Sequence, residues 1–302
     1  MRYRQLGNSG LTVSVVGLGC NNFGGRIDLD ASRRVVDRAI DLGVTLFDTA
    51  DVYGNRGGSE AVLGEVLGGR RDEVVIATKW GHDMGSGERE ARGGRRYIRS
   101  AVEASLRRLR TDRIDLYQLH SPDPLTPIAE TLTALDELVD EGKIRYVGSS
   151  NFVPWQVADA DWTARTEGLE RMISAQNHYS LLERGAEVEL LAACRRFGVG
   201  VLPYFPLANG LLTGKYRRGE PMPEGTRLSG REIEAGTFER IEALEDFARE
   251  RGHSLLDLAF AGLLAHPEVS SVIAGATRAE QVEANVAAGE WDLPLDELAG
   301  LD

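Results

Sequence analysis

The sequence predicts an α/β fold, one (β/α)8 TIM barrel with an N-terminal β-hairpin. Three observations carry that expectation. Eight short apolar runs recur along the chain, amphipathic helical stretches alternate with them, and no Pro/Gly/Ser-rich linker or compositional break divides the 302 residues. Alternation of this kind points to a parallel sheet covered by helices. Barrels of this class run to about 250 residues as one unit, so residues 1–302 read as a single barrel domain. The rival is a doubly wound sheet with an extra domain.

The elements follow in chain order. Residues 3–13 set Gly7-Asn8-Ser9-Gly10 between polar–apolar flanks, the pattern of a hairpin, expected to plug one barrel end. The apolar runs at 15–19, 46–48, 74–79, 114–120, 144–149, 172–177, 199–204 and 271–273 are mostly β-branched or leucine-rich and too short for helices, as buried parallel strands are. Between them, 31–42 places Val35, Val36, Ala39 and Ile40 on one face, with Asp30 expected as N-cap and Gly43 as C-cap. Residues 127–141 group Ile128, Leu132, Leu135 and Val139 between Thr126-Pro127 and Gly142. Further helical patterns cover 60–67, 96–109, 154–166, 186–197, 237–251, 255–265 and 280–287. The longest irregular stretch, 210–236, is rich in Gly, Pro, Arg and Glu, and loops of that length are usually functional or mobile.

Composition narrows the function classes. Hydrophobic residues make up 42% and charged residues 27%, ordinary globular values. A net charge of −12 argues against a nucleic-acid or anionic-membrane surface, though it leaves room for a local basic pocket. No apolar run approaches the roughly 20 residues that span a bilayer. Cys20 and Cys194 form no CxxC and no metal-ligand spacing, and Met1-Arg2-Tyr3-Arg4-Gln5 lacks a signal-peptide core. The expectation is a cytoplasmic protein without a metal.

Barrel enzymes assemble their sites where strands end. Here the strand ends carry Asp48, Lys79 and His120, with Tyr53 in the loop after the second strand. Singly, each has an ordinary explanation: a turn carboxylate, a surface lysine, a core histidine, a packed tyrosine. Together they form one mechanism. A tyrosine titrates near 10, and a neighbouring ammonium favours its phenolate. A buried lysine needs an anion, which Asp48 supplies. His120 can orient and polarise a substrate carbonyl. What remains is a hydride source, which no side chain provides and a nicotinamide cofactor does.

The sequence resembles the aldo-keto reductase family over nearly its whole length. The resemblance rests on Gly43-Val44-Thr45-Leu46-Phe47-Asp48-Thr49-Ala50-Asp51-Val52-Tyr53-Gly54, then Ser59-Glu60 and Leu63-Gly64, on Thr78-Lys79, on the seven residues ending at His120, on Gly148-Ser149-Ser150-Asn151-Phe152, and on Gly210-Leu211-Leu212-Thr213-Gly214-Lys215-Tyr216. It implies that Asp48, Tyr53, Lys79 and His120 form the catalytic tetrad, Tyr53 being the general acid for carbonyl reduction. It also implies that Ser150, Asn151 and Gln176 hold the nicotinamide carboxamide and that Tyr204 stacks on the ring. Pro206, Leu207, Gly210, Leu211, Thr213 and Lys215 fall in the family's pyrophosphate strap. Gly275, Thr277, Arg278, Gln281 and Asn285 match its adenosine-phosphate segment, Arg278 facing a 2′-phosphate. NADPH is the implied cofactor, with NADH as the alternative. Glycine at 275 and glutamine at 281, where many relatives carry lysine and arginine, match the branch similar to potassium-channel β-subunits and bacterial stress proteins. Phe205 replaces a small polar residue common after the stacking tyrosine.

The expected activity is NAD(P)H-dependent reduction of an aldehyde or ketone with an apolar body, with Phe23 and Trp80 as substrate walls. Three other readings stand beside it. Lys79 could form a Schiff base in a lyase or aldolase. Asp48, Asp51, His82, His120 and His178 could serve a metal hydrolase, but no HxH or HExxH pair occurs. A non-catalytic, cofactor-holding subunit is the third. Gly17-Leu18-Gly19 lacks the third glycine of GxGxxG, and Gly214-Lys215-Tyr216 lacks the Ser/Thr of a P-loop. Oligomeric state and physiological substrate are not legible.

Overall fold

In the computed structural model, residues 1–85, 91–221, 223–224 and 226–301 are described. Two short strands, β1 (Tyr3–Gln5) and β2 (Thr12–Ser14), pair antiparallel with Tyr3 opposite Ser14. Eight parallel strands then follow: β3 (Val16–Gly19), β4 (Leu46–Asp48), β5 (Val75–Trp80), β6 (Ile114–Leu119), β7 (Ile144–Ser150), β8 (Met172–Gln176), β9 (Gly200–Val201) and β10 (Val272–Gly275). Their order is β10-β3-β4-β5-β6-β7-β8-β9. A parallel bridge between Val201 and Val269, with Val201 N donating to Glu268 O (2.7 Å) and Ser270 N to Val201 O (3.0 Å), brings the two outer strands together. The ring closes, and the doubly wound rival falls away.

The helices around it are α1 (Leu29–Asp41), α2 (Tyr53–Leu67), α3 (Arg95–Leu109), α4 (Ile128–Asp140), α5 (Pro154–Glu167), α6 (Leu190–Phe197), α7 (Ala235–Glu250), α8 (Leu255–Leu264) and α9 (Ala279–Ala288). Several boundaries differ from the expected ones for local reasons. Asp28, not Asp30, caps α1: its Oδ1 accepts from Ala31 N at 2.8 Å. The run 199–204 yields only two strand residues, since Pro203 has no N–H to give a ladder. Within 186–197 the α-helix starts at Leu190, after a 3-10 turn at Gly185–Glu187.

Side-chain alternation divides each strand between two environments. Outward residues Phe47, Ile76, Tyr117 and Val147 pack with Val36, Leu106 and Leu135 of the helical layer. Inward residues near the strand starts, Leu46, Ala77, Leu116 and Ile273, cluster with Leu6 and Val13 of the hairpin. The hairpin therefore plugs the N-terminal mouth, as expected. Leu6 and Val13 are fully buried there, each contributing about 1.5–3 kcal/mol.

Candidate active site at the C-terminal rim

The same inward rows change character at the other end. Two residues beyond Leu46 stands Asp48, two beyond Ala77 stands Lys79, and four beyond Leu116 stands His120. Lys79 is fully buried. Its Nζ donates to both carboxylate oxygens of Asp48 and to Thr49 O, each at 2.8 Å. Gln176 Nε2 donates to Asp48 Oδ1, also at 2.8 Å. The ammonium lies 5.1 Å from the Tyr53 ring centroid, close enough for its charge to act on the phenol. His120 meets the Tyr53 ring edge-on, centroids 5.6 Å apart. The four side chains thus converge at one rim.

Their electrostatics follow from burial and pairing. Burial works to lower the Lys79 pKa, but Asp48 and Tyr53 outweigh it and leave the ammonium more firmly protonated than usual. The Tyr53 phenol is raised above its ordinary 10, chiefly by burial, with Lys79 pulling the other way. This corrects the sequence expectation of a net lowering: the cost of burying a phenolate exceeds one cation's help. His120 is pushed down to about 2 by burial, then Lys79 and His82, so its ring is neutral at ordinary pH. His82 stacks on it at 3.8 Å and contacts Ser121 Oγ at 3.0 Å.

Tyr53 reaches this place through an uncommon turn. Gly54 (φ +63°), Asn55 (+60°), Arg56 (+65°) and Gly57 (+110°) are all left-handed, so the regular part of α2 begins after them. A Cβ at Gly54 would lie 2.5 Å from Phe23 O and Ser59 N, so that position excludes other residues. Holding Asn55 and Arg56 left-handed costs about 1–2 kcal/mol each, the kind of strain that collects at functional sites.

Above the tetrad a cavity of about 760 Å³ runs along the rim. It is lined by Asp48, Tyr53, His120, Ser150, Asn151, Gln176 and Tyr204 at one end, by Pro206, Leu207, Gly210, Thr213 and Lys215 along one wall, and by Gly275, Thr277, Arg278, Gln281 and Asn285 at the far end. Asn151, itself left-handed, donates to His120 O (2.9 Å) and accepts from Tyr204 OH (2.8 Å). Gln281 Oε1 accepts from Thr277 N at 2.8 Å.

Four expected residues do not line it. Trp80 follows Lys79 on β5 and so faces outward, fully buried against Tyr117 at 4.4 Å with its indole N–H on Arg92 O. Phe23 is fully buried in the main apolar cluster beneath the Tyr53 turn. Leu211 turns into a second apolar cluster with Leu212, Tyr216 and Leu258. Lys79 lies below the cavity floor and acts on it only through Asp48 and Tyr53.

Other lining residues were not assigned to this cavity from sequence, and two of them, Arg227 and Arg26, were not singled out at all. Arg227, from the long irregular stretch, crosses the cavity and donates to Asn21 Oδ1 and Asn22 Oδ1, both at 3.1 Å, with its guanidinium 5.9 Å from the Phe205 ring. His82, Phe205 and Arg26 also face the space. No periodicity marks such loop residues; the only signal was basic side chains in a Gly/Pro-rich loop. The lining sets Arg26, Lys215, Arg227 and Arg278 against Asp48 and Glu224. In a chain of net charge −12, that local excess of cations suits a ligand carrying phosphates. Gly275 adds room, since a Cβ there would come to 3.3 Å from Asn22 Nδ2. Among the described residues, no group of three or more His, Cys, Asp or Glu is placed to hold a metal, and no helix is long and apolar enough to cross a membrane.

Comparison with known proteins agrees with this architecture. The sequence profile of the Aldo/keto reductase family matches residues 15–302. The chain is 38% identical to the uncharacterised oxidoreductase YrpG of Bacillus subtilis (strain 168), covering 100% of this chain and 95% of the relative. It is 36% identical to L-glyceraldehyde 3-phosphate reductase of Escherichia coli (strain K12), over 100% and 92%. It is also 36% identical to a probable voltage-gated potassium channel subunit beta of Arabidopsis thaliana, over 95% and 91%. The chain belongs to the aldo/keto reductase family and is an NAD(P)H-dependent oxidoreductase of carbonyl compounds.

Proposed function

We propose that this rim reduces an aldehyde or ketone with an apolar body to its alcohol, using NADPH in preference to NADH, with Tyr53 as the proton donor. The observation that carries the reading is the Tyr53 phenol on the cavity floor, beside the buried, charged Lys79 at 5.1 Å from its ring and flanked by a neutral His120. When bound, the nicotinamide supplies the hydride. Ser150, Asn151 and Gln176 would hold its carboxamide and Tyr204 its ring. Lys215 and Arg227, with the backbone around Gly210, would take the pyrophosphate. Arg278, Gln281 and Asn285 would take the adenosine end, the exposed Arg278 guanidinium suiting a 2′-phosphate.

The chain's own residues account for the proton. As charge builds on the carbonyl oxygen, Tyr53 releases its proton to it and Lys79 stabilises the phenolate left behind. Asp48, with Gln176 fixing one of its oxygens, keeps Lys79 charged. Neutral His120 has one ring N–H to give to the substrate oxygen and no charge to compete with Lys79. Phe205 and His82 replace Phe23 and Trp80 as the proposed substrate walls. Bonded to Asp48 and Thr49 and firmly protonated, Lys79 is a poor amine nucleophile, which counts against the Schiff-base reading. Both cysteines are free and buried, in keeping with a reducing cytoplasm as the proposed compartment.

Titration with NADPH and with NADH, followed by protein fluorescence, tests the cofactor. A panel of aldehydes and ketones, including glyceraldehyde 3-phosphate, then tests turnover by loss of reduced nicotinamide. Tighter binding of NADPH and carbonyl-dependent oxidation support the reading. Binding of neither nucleotide overturns it.

A further inference from the structure

The turn between β4 and α2 holds a second carboxyl that the proposed reaction does not use. Asp51 is only 1% exposed, and among the described residues no hydrogen bond of ordinary geometry reaches either of its carboxyl oxygens. The backbone N–H of Val52 gives only weak help. Its ionisable neighbours come from four elements. Glu60 on α2 repels a negative charge there, whereas Arg108 on α3 and Lys79 on β5 attract it. Tyr117 on β6 feels its charge, and the buried Tyr117 hydroxyl has no partner among the described residues. Both cations are committed elsewhere. Arg108 Nε donates to Glu60 Oε2 at 2.7 Å, and Lys79 is bound to Asp48. Glu60 in turn accepts from Thr78 Oγ1 at 2.6 Å. Asp51 is thus left as the uncompensated member of a buried charged cluster directly behind the tetrad. A buried charge without a partner is costly, so the group keeps its proton instead.

Tyr53 stands two residues along the same turn, and negative charge at Asp51 adds to the resistance of its phenol to ionisation, behind burial, Lys79 and Asp48. We propose that Asp51, a buried and unpartnered carboxyl in the same turn, is a positioning residue for Tyr53 that modulates the phenol's proton release by taking up and releasing one proton exchanged with solvent. With Asp51 neutral, Tyr53 yields its proton more readily. With Asp51 charged, Tyr53 holds it. This rests on the proposed role of Tyr53 and adds a regulator to it. Burial, then Glu60, pushes the Asp51 carboxyl up to about 7, so the change falls within the working range of an enzyme.

Two measurements separate the parts. A carboxyl whose folded pKa is raised stabilises the fold fully below the unfolded value of about 3.9, and that stability is lost as pH rises through the folded value. Asp51→Asn should therefore raise Tm by roughly 5 °C at about pH 8.5 and by clearly less at about pH 5. This readout needs no turnover, so it stands apart from the reductase reading, which fails if the wild-type chain reduces no carbonyl. In turnover, wild-type kcat/KM for reduction should bend downward through about pH 7, and Asp51→Asn should keep the low-pH rate across the range. A Tm difference equal at both pH values, or a bend unchanged in Asp51→Asn, overturns the inference. If Asp51→Asn does not fold, Glu60→Gln should move the bend to lower pH by removing the repelling charge. A bend that stays in place overturns it equally.

Discussion

The two mouths of this barrel are made by the same eight strands and are built on opposite terms. At the N-terminal mouth the inward side chains are Leu46, Ala77, Leu116 and Ile273, closed over by Leu6 and Val13 of the hairpin. Two or four residues further along the same strands stand Asp48, Lys79 and His120. One end contributes transfer free energy and asks nothing of geometry beyond fit. The other buries an ion pair, leaves His120 Nδ1 without a partner among the described residues and holds Asn55, Arg56, Asn151 and Phe205 in left-handed backbone. The difference teaches that this fold concentrates its costs where its chemistry is. Stability supplied at one end and along the helical layer offsets strain at the other.

That contrast can be broken in order of expected effect. Lys79→Met leaves Asp48 as an unpaired buried carboxylate, so it should destabilise the fold by about 3–5 kcal/mol in denaturant unfolding. Adding Asp48→Asn should recover most of that stability while turnover stays lost. If the double variant is no more stable than the single one, the buried pair is not the source of the cost. At the other mouth, Leu6→Ala should cost about 2–5 kcal/mol of stability through lost burial and a cavity. Its kcat/KM, measured per folded molecule, should match wild type. A large catalytic loss there would mean that the two mouths are not independent. The smallest effect sharpens the picture at the cavity's far end. Arg278 is exposed and only loosely paired with Glu280, at 3.7 Å, so Arg278→Ala should leave the fold intact. It should weaken NADPH binding about tenfold, near the value of one charge-assisted contact, with NADH little changed. Equal losses for the two nucleotides would remove the 2′-phosphate assignment.

Much of this was legible in the chain because strands advertise themselves. Short β-branched runs, read with the alternation of helix patterns, located all eight parallel strands, and the Gly7–Gly10 turn located the hairpin. The meeting of Asp48, Tyr53, Lys79 and His120 was legible because each sits at a strand end or in the turn beyond it. What failed was direction and distance. Trp80 adjoins Lys79 in sequence, yet the two-residue period of a strand sends it to the opposite face. Phe23 was expected as a substrate wall, but its carbonyl packs against Gly54 and its ring is buried in the main core under the Tyr53 turn. Arg227 was missed because its partners, Asn21 and Asn22, lie about two hundred positions away in an irregular loop, and no local pattern records such a meeting. The phenol's net shift was misjudged for a related reason. Sequence names the cation beside Tyr53, but only the folded chain shows how little solvent remains around it.

The most direct test of the account is Tyr53→Phe, which removes one hydroxyl and leaves the ring, the turn and the Lys79–Asp48 pair in place. The account predicts cofactor affinity within about twofold of wild type and carbonyl reduction lower by about 10²–10⁴-fold, the usual contribution of a positioned general acid. Turnover near the wild-type rate would contradict it, because the proton would then come from somewhere else.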